Sequence, residues 1–228
     1  MRVLDLFSGI GGFSLGLRMA GGFETVQFCE IDPYCQKVLA KNFPGVPIHE
    51  DIKTFRAERG SADVICGGFP CQDISVAGKG AGITGERSGL WSEYARIIGD
   101  VQPRYVIVEN SAALLARGLG RVLGDLAQIG YDTEWHCIPA AAIGAPHIRD
   151  RTWIIAYPDN RRFTGRGESW KALLSTLSWA ESWHGEPELD RMDYGLPDRV
   201  DRLRGIGNAI VPQIAEIIGR AIMTSETV

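Results

Sequence analysis

Two unbroken apolar runs of the chain each end in a side chain that can do chemistry. The run at 63–66 is followed by Gly-Gly-Phe-Pro and then Cys71, and the run at 105–108 is followed by Glu109. A cysteine beside a proline can serve as a nucleophile, and a glutamate at a strand end can serve as an acid or a base. Because ligands bind at the carboxyl ends of strands in open α/β sheets, the two side chains are candidates for one site. Each also has a purely structural interpretation, as a core residue or as a helix cap.

A glycine-rich turn follows the first apolar run and predicts a nucleoside ligand. Gly9, Gly11 and Gly12 lead into a helical stretch, and such a corner lets a ligand approach the backbone at a helix N-terminus. Glu30 ends the second strand, at the distance where an acid binds ribose hydroxyls. Ser14 stands where a dinucleotide fingerprint needs a third glycine, so a ligand without a pyrophosphate is favoured over NAD or FAD. A tight turn in an ordinary α/β protein is the alternative.

The elements that must position these side chains alternate along the chain. The predicted strands lie at 3–7, 26–29, 63–66, 105–108, 132–138 and 152–157, and the predicted helices run from 12 to about 21, 33–42, 115–129 and onward from 212. Strands alternating with helices predict an α/β fold with a doubly wound, mostly parallel sheet.

Two segments interrupt this alternation. Residues 72–89 are rich in glycine and could form a closing lid or a plain connection. Residues 158–198 carry Trp170, Trp179 and Trp183 among leucines at helical spacing, which indicates the core of a small inserted subdomain more than a base-stacking surface.

Composition narrows the class of protein further. The chain has 228 residues, of which 45% are hydrophobic and 23% charged, as expected of a soluble globular protein. No apolar run of about 18 residues and no secretory leader is evident, so we expect a cytoplasmic protein without a membrane span.

The five cysteines include no Cys-x-x-Cys pair, which argues against a zinc site and a disulfide framework. With a net charge of −4, any nucleic-acid surface must concentrate its arginines, as at 161–166 or 199–204.

The ordered motifs of the chain resemble those of the cytosine-C5 DNA methyltransferases. They are Asp5-Leu-Phe-Ser-Gly-Ile-Gly-Gly12, Glu30-Ile-Asp32, Gly68-Phe-Pro-Cys-Gln72, Arg87-Ser-Gly-Leu-Trp91, Val108-Glu-Asn110, Arg149-Asp-Arg151 and Gly207-Asn-Ala-Ile-Val-Pro212. The resemblance covers residues 1–157 and 199–228. It implies a Rossmann-like S-adenosylmethionine-dependent catalytic domain made of those two ranges, with 158–198 as a short target-recognition subdomain.

The resemblance also implies roles for individual residues. Cys71 is expected to attack C6 of a flipped-out cytosine, Glu109 to contact N3, and Arg151 to support O2 with Arg149 nearby. Phe69, Pro70, Gln72, Ser75 and Asn110 are expected to bind the substrate base. The residues expected to bind S-adenosylmethionine are Phe7, Ser8, Gly9, Ile10, Gly11, Gly12, Glu30, Ile31, Asp51, Ile52, Leu90, Asn208 and Val211.

The implied partner is double-stranded DNA, bound by a monomer, with a possible cognate restriction endonuclease that is not part of a complex. The chain departs from the family in two places. His147 stands where glutamine is usual before the two arginines, and residues 158–198 are a short recognition segment. So small a segment offers few contacts to base edges, which predicts a short or relaxed target sequence.

Three other functions remain as alternatives. An RNA cytosine-C5 methyltransferase acting on transfer RNA would have a similar sheet, but its typical Cys-Phe-Thr element is missing because 158–198 contains no cysteine. A nicotinamide-dependent oxidoreductase is disfavoured by Ser14. A noncatalytic nucleic-acid-binding descendant is disfavoured because Cys71, Glu109 and Arg151 are all present.

Overall fold

A seven-stranded sheet organises the described part of the protein. The computed structural model describes residues 1–70, 89–159 and 199–226. Its strands are β1 (Arg2–Leu6), β2 (Glu24–Cys29), β3 (Ile48–His49), β4 (Val64–Gly68), β5 (Tyr105–Ser111), β6 (Tyr131–Pro139) and β7 (Asp150–Pro158). The first five strands are mutually parallel in the order β3-β2-β1-β4-β5, and β7 lies antiparallel between β5 and β6. Of the strands in the described ranges, β7 alone runs in the reverse direction.

Helices cover both faces of the sheet. They are α1 (Gly12–Ala20), α2 (Pro33–Asn42), α3 (Leu90–Val101), α4 (Leu114–Arg117), α5 (Leu119–Ile129), α6 (Arg199–Asn208) and α7 (Pro212–Glu226), with a 3-10 turn at Ala140–Ile143. Proline opens both α2 and α7, where its missing N–H has no partner to lose. Gly130 ends α5 at a φ of 92°, as a C-terminal glycine does.

The central strands divide their side chains between two cores. Leu4, Ile65 and Val106 pack with α3 and α5 on one face. Val3 and Ile107 pack with α1 and α7 on the other. Alternate residues of one strand therefore enter opposite cores, which explains why the runs 64–66 in β4 and 105–108 in β5 are apolar without interruption. The prediction of a doubly wound, mostly parallel α/β sheet is confirmed.

The two helices on the second face, α1 and α7, pack very closely. A Cβ atom placed on Gly16 of α1 would lie 2.1 Å from the backbone oxygen of Pro212 and 2.7 Å from Cβ of Ala215. Only glycine permits this approach. The last described helix of the chain is therefore part of the same core as the first strand and the first helix.

Several element predictions need correction. The helix predicted over 115–129 is interrupted at Gly118, so the structure has two helices there, α4 and α5. The helices α3 and α6 and the two-residue strand β3 were not predicted. The subdomain at 158–198 and the loop at 72–89 fall almost entirely outside the described residues. No helix in the described ranges is long and apolar enough to cross a membrane.

Candidate cofactor and base-binding site

The turn between β1 and α1 has an unusual backbone. Phe7 and Gly9 both have φ of 53°, and Gly11 has φ of 88°. A side chain seldom adopts this left-handed conformation, so Phe7 is locally strained, and such strain often accompanies a ligand site. The turn bends the chain sharply at the carboxyl end of β1. Its N–H groups thereby come close to the end of β2.

Glu30 fixes this turn from the neighbouring strand. Its Oε2 accepts a hydrogen bond from the N–H of Gly9 at 2.7 Å, and its Oε1 accepts one from the N–H of Asp32 at 2.8 Å. Burial raises the pKa of Glu30, against the opposing effect of these two backbone hydrogen bonds. Each carboxylate oxygen keeps a second lone pair, so Glu30 can accept further hydrogen bonds from a ligand's hydroxyl groups.

A cavity of about 200 Å³ opens beside Glu30. It is lined by Phe7, Cys29, Glu30, Ile31, Glu50, Asp51, Ile52, Lys53, Pro70 and Leu90. Ile31 is 72% exposed at this position, so a flat apolar surface is left for a ring to cover. Apolar walls with carboxylates close by fit a nucleoside that carries a cation better than they fit a phosphate. The structure thus brings six of the predicted cofactor residues together: Phe7, Glu30, Ile31, Asp51, Ile52 and Leu90.

The other predicted cofactor residues have different surroundings. The hydroxyl of Ser8 donates to the backbone oxygen of Asp5 at 2.6 Å, so it stabilises the turn itself. A Cβ on Gly11 would lie 2.7 Å from the ring of Phe43, and one on Gly12 would lie 2.8 Å from Ile210. Packing therefore requires both glycines. Together with Ile10 they line a second, mostly apolar cavity. Within the described part of the chain, Asn208 and Val211 do not line the first cavity.

Glu109 is the buried acid at the end of β5. It is 8% exposed, and its Oε1 pairs with Nε of Arg151 on β7 at 2.8 Å. On the other side a Cβ on Gly68 would lie 2.7 Å from Oε2, so only glycine leaves room for this carboxyl group. Burial raises the pKa of Glu109 to about 7, although the charges of Arg151 and Arg149 oppose the shift. The group can therefore hold or release a proton near neutral pH.

Asn110 ties the end of β5 to the segment that precedes Cys71. Its Nδ2 donates to the backbone oxygen of Phe69 at 3.0 Å, and the side chain is buried. The ring of Phe69 packs on Trp91 of α3, with 5.3 Å between ring centroids. Cys71, Gln72 and Ser75 lie outside the described residues. The structure therefore describes the support of the predicted nucleophile up to Pro70.

Arg149 faces a different part of the molecule from Arg151. Its guanidinium donates to the backbone oxygens of Gly207 and Ala209, at 2.9 and 2.8 Å. The two arginines of the motif therefore have separate partners: Arg151 pairs with the buried acid, and Arg149 binds the end of α6. The prediction that both serve the base is not tested by these contacts.

The sequence interpretation missed the buried carboxyl group of Asp5. Its Oδ2 accepts hydrogen bonds from the hydroxyl of Ser14 at 2.6 Å and from its N–H at 3.3 Å, and the side chain is fully buried. This contact explains why serine stands at position 14, where a dinucleotide fingerprint would have glycine. An acid in the middle of the first apolar run was the available signal. No group of three metal-ligating side chains was found among the described residues.

The fold and the two acid sites define a Rossmann-like α/β protein of the methyltransferase type. Residues 1–176 match the family of C-5 cytosine-specific DNA methylases, and this range is most of the chain. The chain therefore belongs to that family, as its motifs predicted.

Known relatives are longer than this chain. The type II methyltransferase M2.BsuMI of Bacillus subtilis is 35% identical over 226 residues, which cover 91% of this chain and 53% of the relative. M.NgoBI, a type II methyltransferase of Neisseria gonorrhoeae, is 34% identical over 166 residues, which cover 71% of this chain and 52% of the relative. The chain thus spans about half the length of the curated relatives it matches.

Solved structures agree on the fold. A prophage-encoded protein of E. coli superposes with a TM-score of 0.59 at 28% identity, over 70% of this chain and 47% of its own. The S. pombe Dnmt2 methyltransferase superposes with a TM-score of 0.63 over 82% of this chain and 56% of its own. At 20% identity this second likeness concerns the fold alone.

Proposed function

We propose that the chain transfers a methyl group from S-adenosylmethionine to C5 of a cytosine in double-stranded DNA. The observation that carries the proposal is the buried Glu109, which is paired with Arg151 and faces Gly68 at the carboxyl edge of the sheet. Family membership and the type II relatives support the reaction class. The catalytic unit in this proposal consists of residues 1–157 and 199–228, and residues 158–198 recognise the target sequence.

The cavity beside Glu30 is the proposed site of the methyl donor. The residues that would hold it are Glu30 at the ribose hydroxyls, Ile31 against the adenine ring and Asp51 near the adenine amine. Phe7 and Leu90 would close the cavity around it. When bound, S-adenosylmethionine supplies an electrophilic methyl group on a sulfonium. The apolar walls keep water away from that methyl group.

The acid at position 109 has the properties that base recognition requires. Addition of a nucleophile at C6 of cytosine places negative charge on N3 and O2. A protonated Glu109 stabilises N3 by donating a hydrogen bond, and the guanidinium of Arg151 stabilises O2. Burial raises the pKa of Glu109 to about 7, so this carboxyl group can carry a proton near neutral pH.

Cys71 is the proposed nucleophile. Its thiolate would add to C6 and so make C5 nucleophilic, and a bound S-adenosylmethionine would supply the methyl group to C5 and leave as S-adenosylhomocysteine. A base removes the proton from C5, and the thiolate leaves as the ring becomes aromatic again. Because C5 and C6 are enclosed in a stacked duplex, the cytosine must first be flipped out of the helix.

The test is covalent trapping. Duplex DNA that contains 5-fluorocytosine has no C5 proton to lose, so incubation with S-adenosylmethionine is expected to leave the protein bonded to the DNA. Cys71→Ser abolishes the adduct, and Cys137→Ser is the matched control, because Cys137 is an exposed thiol on β6. Parallel incubation of tritiated S-adenosylmethionine with duplex DNA and with transfer RNA is expected to label the DNA. Label in RNA alone, or turnover by Cys71→Ser, contradicts the proposal.

A further inference from the structure

Arg149 joins the start of β7 to the segment between α6 and α7. Its two terminal nitrogens each donate a hydrogen bond to a backbone oxygen of that segment, at Gly207 and at Ala209. A planar guanidinium that binds two carbonyl groups fixes both their spacing and their orientation. The segment 207–209, with Asn208 between the two carbonyls, is therefore held in one conformation by a residue far away in the sequence.

The same segment rests on the glycine turn. A Cβ on Gly12 would lie 2.8 Å from Cγ1 of Ile210, and a Cβ on Gly205 would lie 3.2 Å from Cγ2 of Ile10. The contacts on both sides of 207–209 thus reach residues of the turn that Glu30 also holds. The residues that flank the segment, Gly205 and Ile210, therefore pack closely on the turn, and a shift of the segment is expected to reach the turn through them.

Arg149 and Arg151 stand two residues apart, at the start of one strand. Arg151 pairs with Glu109, whereas Arg149 binds the segment that packs on the glycine turn. The two arginines at the start of β7 therefore connect the proposed base-binding acid with the segment that packs on the glycine turn. The donors of Arg149 that bind these carbonyls are occupied within the protein, so they are not directed at a substrate base.

We propose that Arg149 is a positioning residue for cofactor binding, which acts by holding segment 207–209 against the glycine turn. This inference rests on the proposed function, because it takes the cavity beside Glu30 as the S-adenosylmethionine site. It separates the roles of the two arginines. Substitution of Arg149 lowers affinity for the cofactor, whereas substitution of Arg151 lowers the rate of methyl transfer.

The experiment measures binding of S-adenosylmethionine by calorimetry, without DNA, in Arg149→Met, Arg149→Lys and the wild type. Loss of two charge-assisted hydrogen bonds is expected to raise Kd by about tenfold in Arg149→Met. Arg149→Lys recovers part of this loss, because an ammonium group can still reach one carbonyl. At saturating cofactor and at a pH well below 7, where Glu109 is protonated with or without the charge of Arg149, kcat for duplex DNA stays within about threefold of the wild type. Arg121→Met is the control, since Arg121 is an exposed arginine on α5.

A double-mutant cycle distinguishes positioning from general destabilisation. Ile210→Ala removes the contact with Gly12, and in that background Arg149→Met is expected to cost less affinity than in the wild type. Full additivity, or an unchanged Kd with a reduced kcat in Arg149→Met, overturns the inference while the proposed function stands. If the wild type itself binds no S-adenosylmethionine, the proposed function fails and the inference fails with it.

Discussion

The two glutamates at the carboxyl edge of the sheet are equally buried but have opposite surroundings. Glu30 and Glu109 are each 8% exposed. Glu30 is held by two backbone N–H groups, which can donate but cannot lose their protons. Glu109 forms an ion pair with Arg151, and its Oε2 lies close to Gly68. The backbone N–H groups make Glu30 a fixed hydrogen-bond acceptor. In the proposed reaction, the protonation of Glu109 can change when a substrate base replaces part of its contact with Arg151.

This difference teaches that burial alone does not assign a role to an acid. Burial raises the pKa of both groups. At Glu30 the opposing groups are backbone N–H donors, whereas at Glu109 they are the charges of Arg151 and Arg149, and the pKa there still rises to about 7. Backbone donors suit the proposed ribose acceptor, which stays in place, and an ion pair suits the proposed acid, which exchanges a proton with its ligand.

The largest effect is expected when Glu109 loses its ability to share a proton. Glu109→Gln keeps the shape of the side chain but leaves Arg151 without its carboxylate, and kcat is expected to fall by about 10²- to 10⁴-fold. The measurement is single-turnover methyl transfer to duplex DNA. Glu93→Gln on α3 serves as the control. Activity within about tenfold of the wild type would contradict the proposal that Glu109 supplies a proton to the reaction.

A smaller effect, confined to cofactor affinity, is expected at Glu30. Glu30→Ala removes the partner of Gly9 and Asp32 and any acceptor for ribose hydroxyls, so Kd for S-adenosylmethionine is expected to rise by about 10- to 100-fold. Glu30→Gln loses less, because its amide oxygen still accepts. Calorimetry gives the affinities, with Glu24→Gln at the start of the same strand as control. A normal Kd together with a low kcat would mean that the two acids share one role.

The pH dependence of kcat/KM sharpens the comparison, because this ratio reports the pKa values of the free protein. A carboxyl group with a raised pKa is neutral below that pKa, so the contribution of the Glu109 proton is fully present below about pH 7. Above it, kcat/KM is expected to fall by about tenfold per pH unit once Glu109 is mostly ionised. Glu30→Gln retains this decline and Glu109→Gln loses it. A flat profile in the wild type would contradict the assignment of the proton to Glu109.

The smallest effect concerns stability and a third buried acid, Asp5. Burial raises its pKa to about 7, despite the hydrogen bonds from Ser14. Because the folded state then holds a proton more tightly than the unfolded state, the free energy of unfolding falls as pH rises from about 4 to about 7. Asp5→Asn lacks this loss, so the Tm of this variant is expected to exceed that of the wild type by several degrees more at pH 8 than at pH 5. Asp100→Asn, on the surface of α3, is the control.

Much of the fold could be predicted because strong periodic signals survive in the sequence. The apolar runs that become β4 and β5 pack on both faces, so they tolerate no polar residue and are easy to recognise. The helix α3 was missed although Trp91, Tyr94 and Ile98 have helical spacing, because it directly follows a glycine-rich stretch. The strand β3 has two residues, too few for any period to appear.

The site could be predicted where a sequence motif identifies a residue by its chemistry. It could not be predicted where contacts between distant parts of the chain determine what a side chain binds. Six predicted cofactor residues line one cavity, among them Asp51, which lies far from Glu30 in the sequence. The direction of the Arg149 side chain depends on a segment some 60 residues away, and no local pattern contains that information. Gly11 and Gly12 were attributed to a ligand, whereas packing against Phe43 and Ile210 already requires them.

The close contact of α1 with α7 has a consequence for protein synthesis. The ribosome releases β1 and the glycine turn long before it makes residues 212–226, so Phe13 and Leu17 have no helix to cover them during most of translation. A nascent chain at that stage exposes an apolar flank and is a natural client for chaperones. The core around α1 is therefore completed only after α7 has emerged and docked.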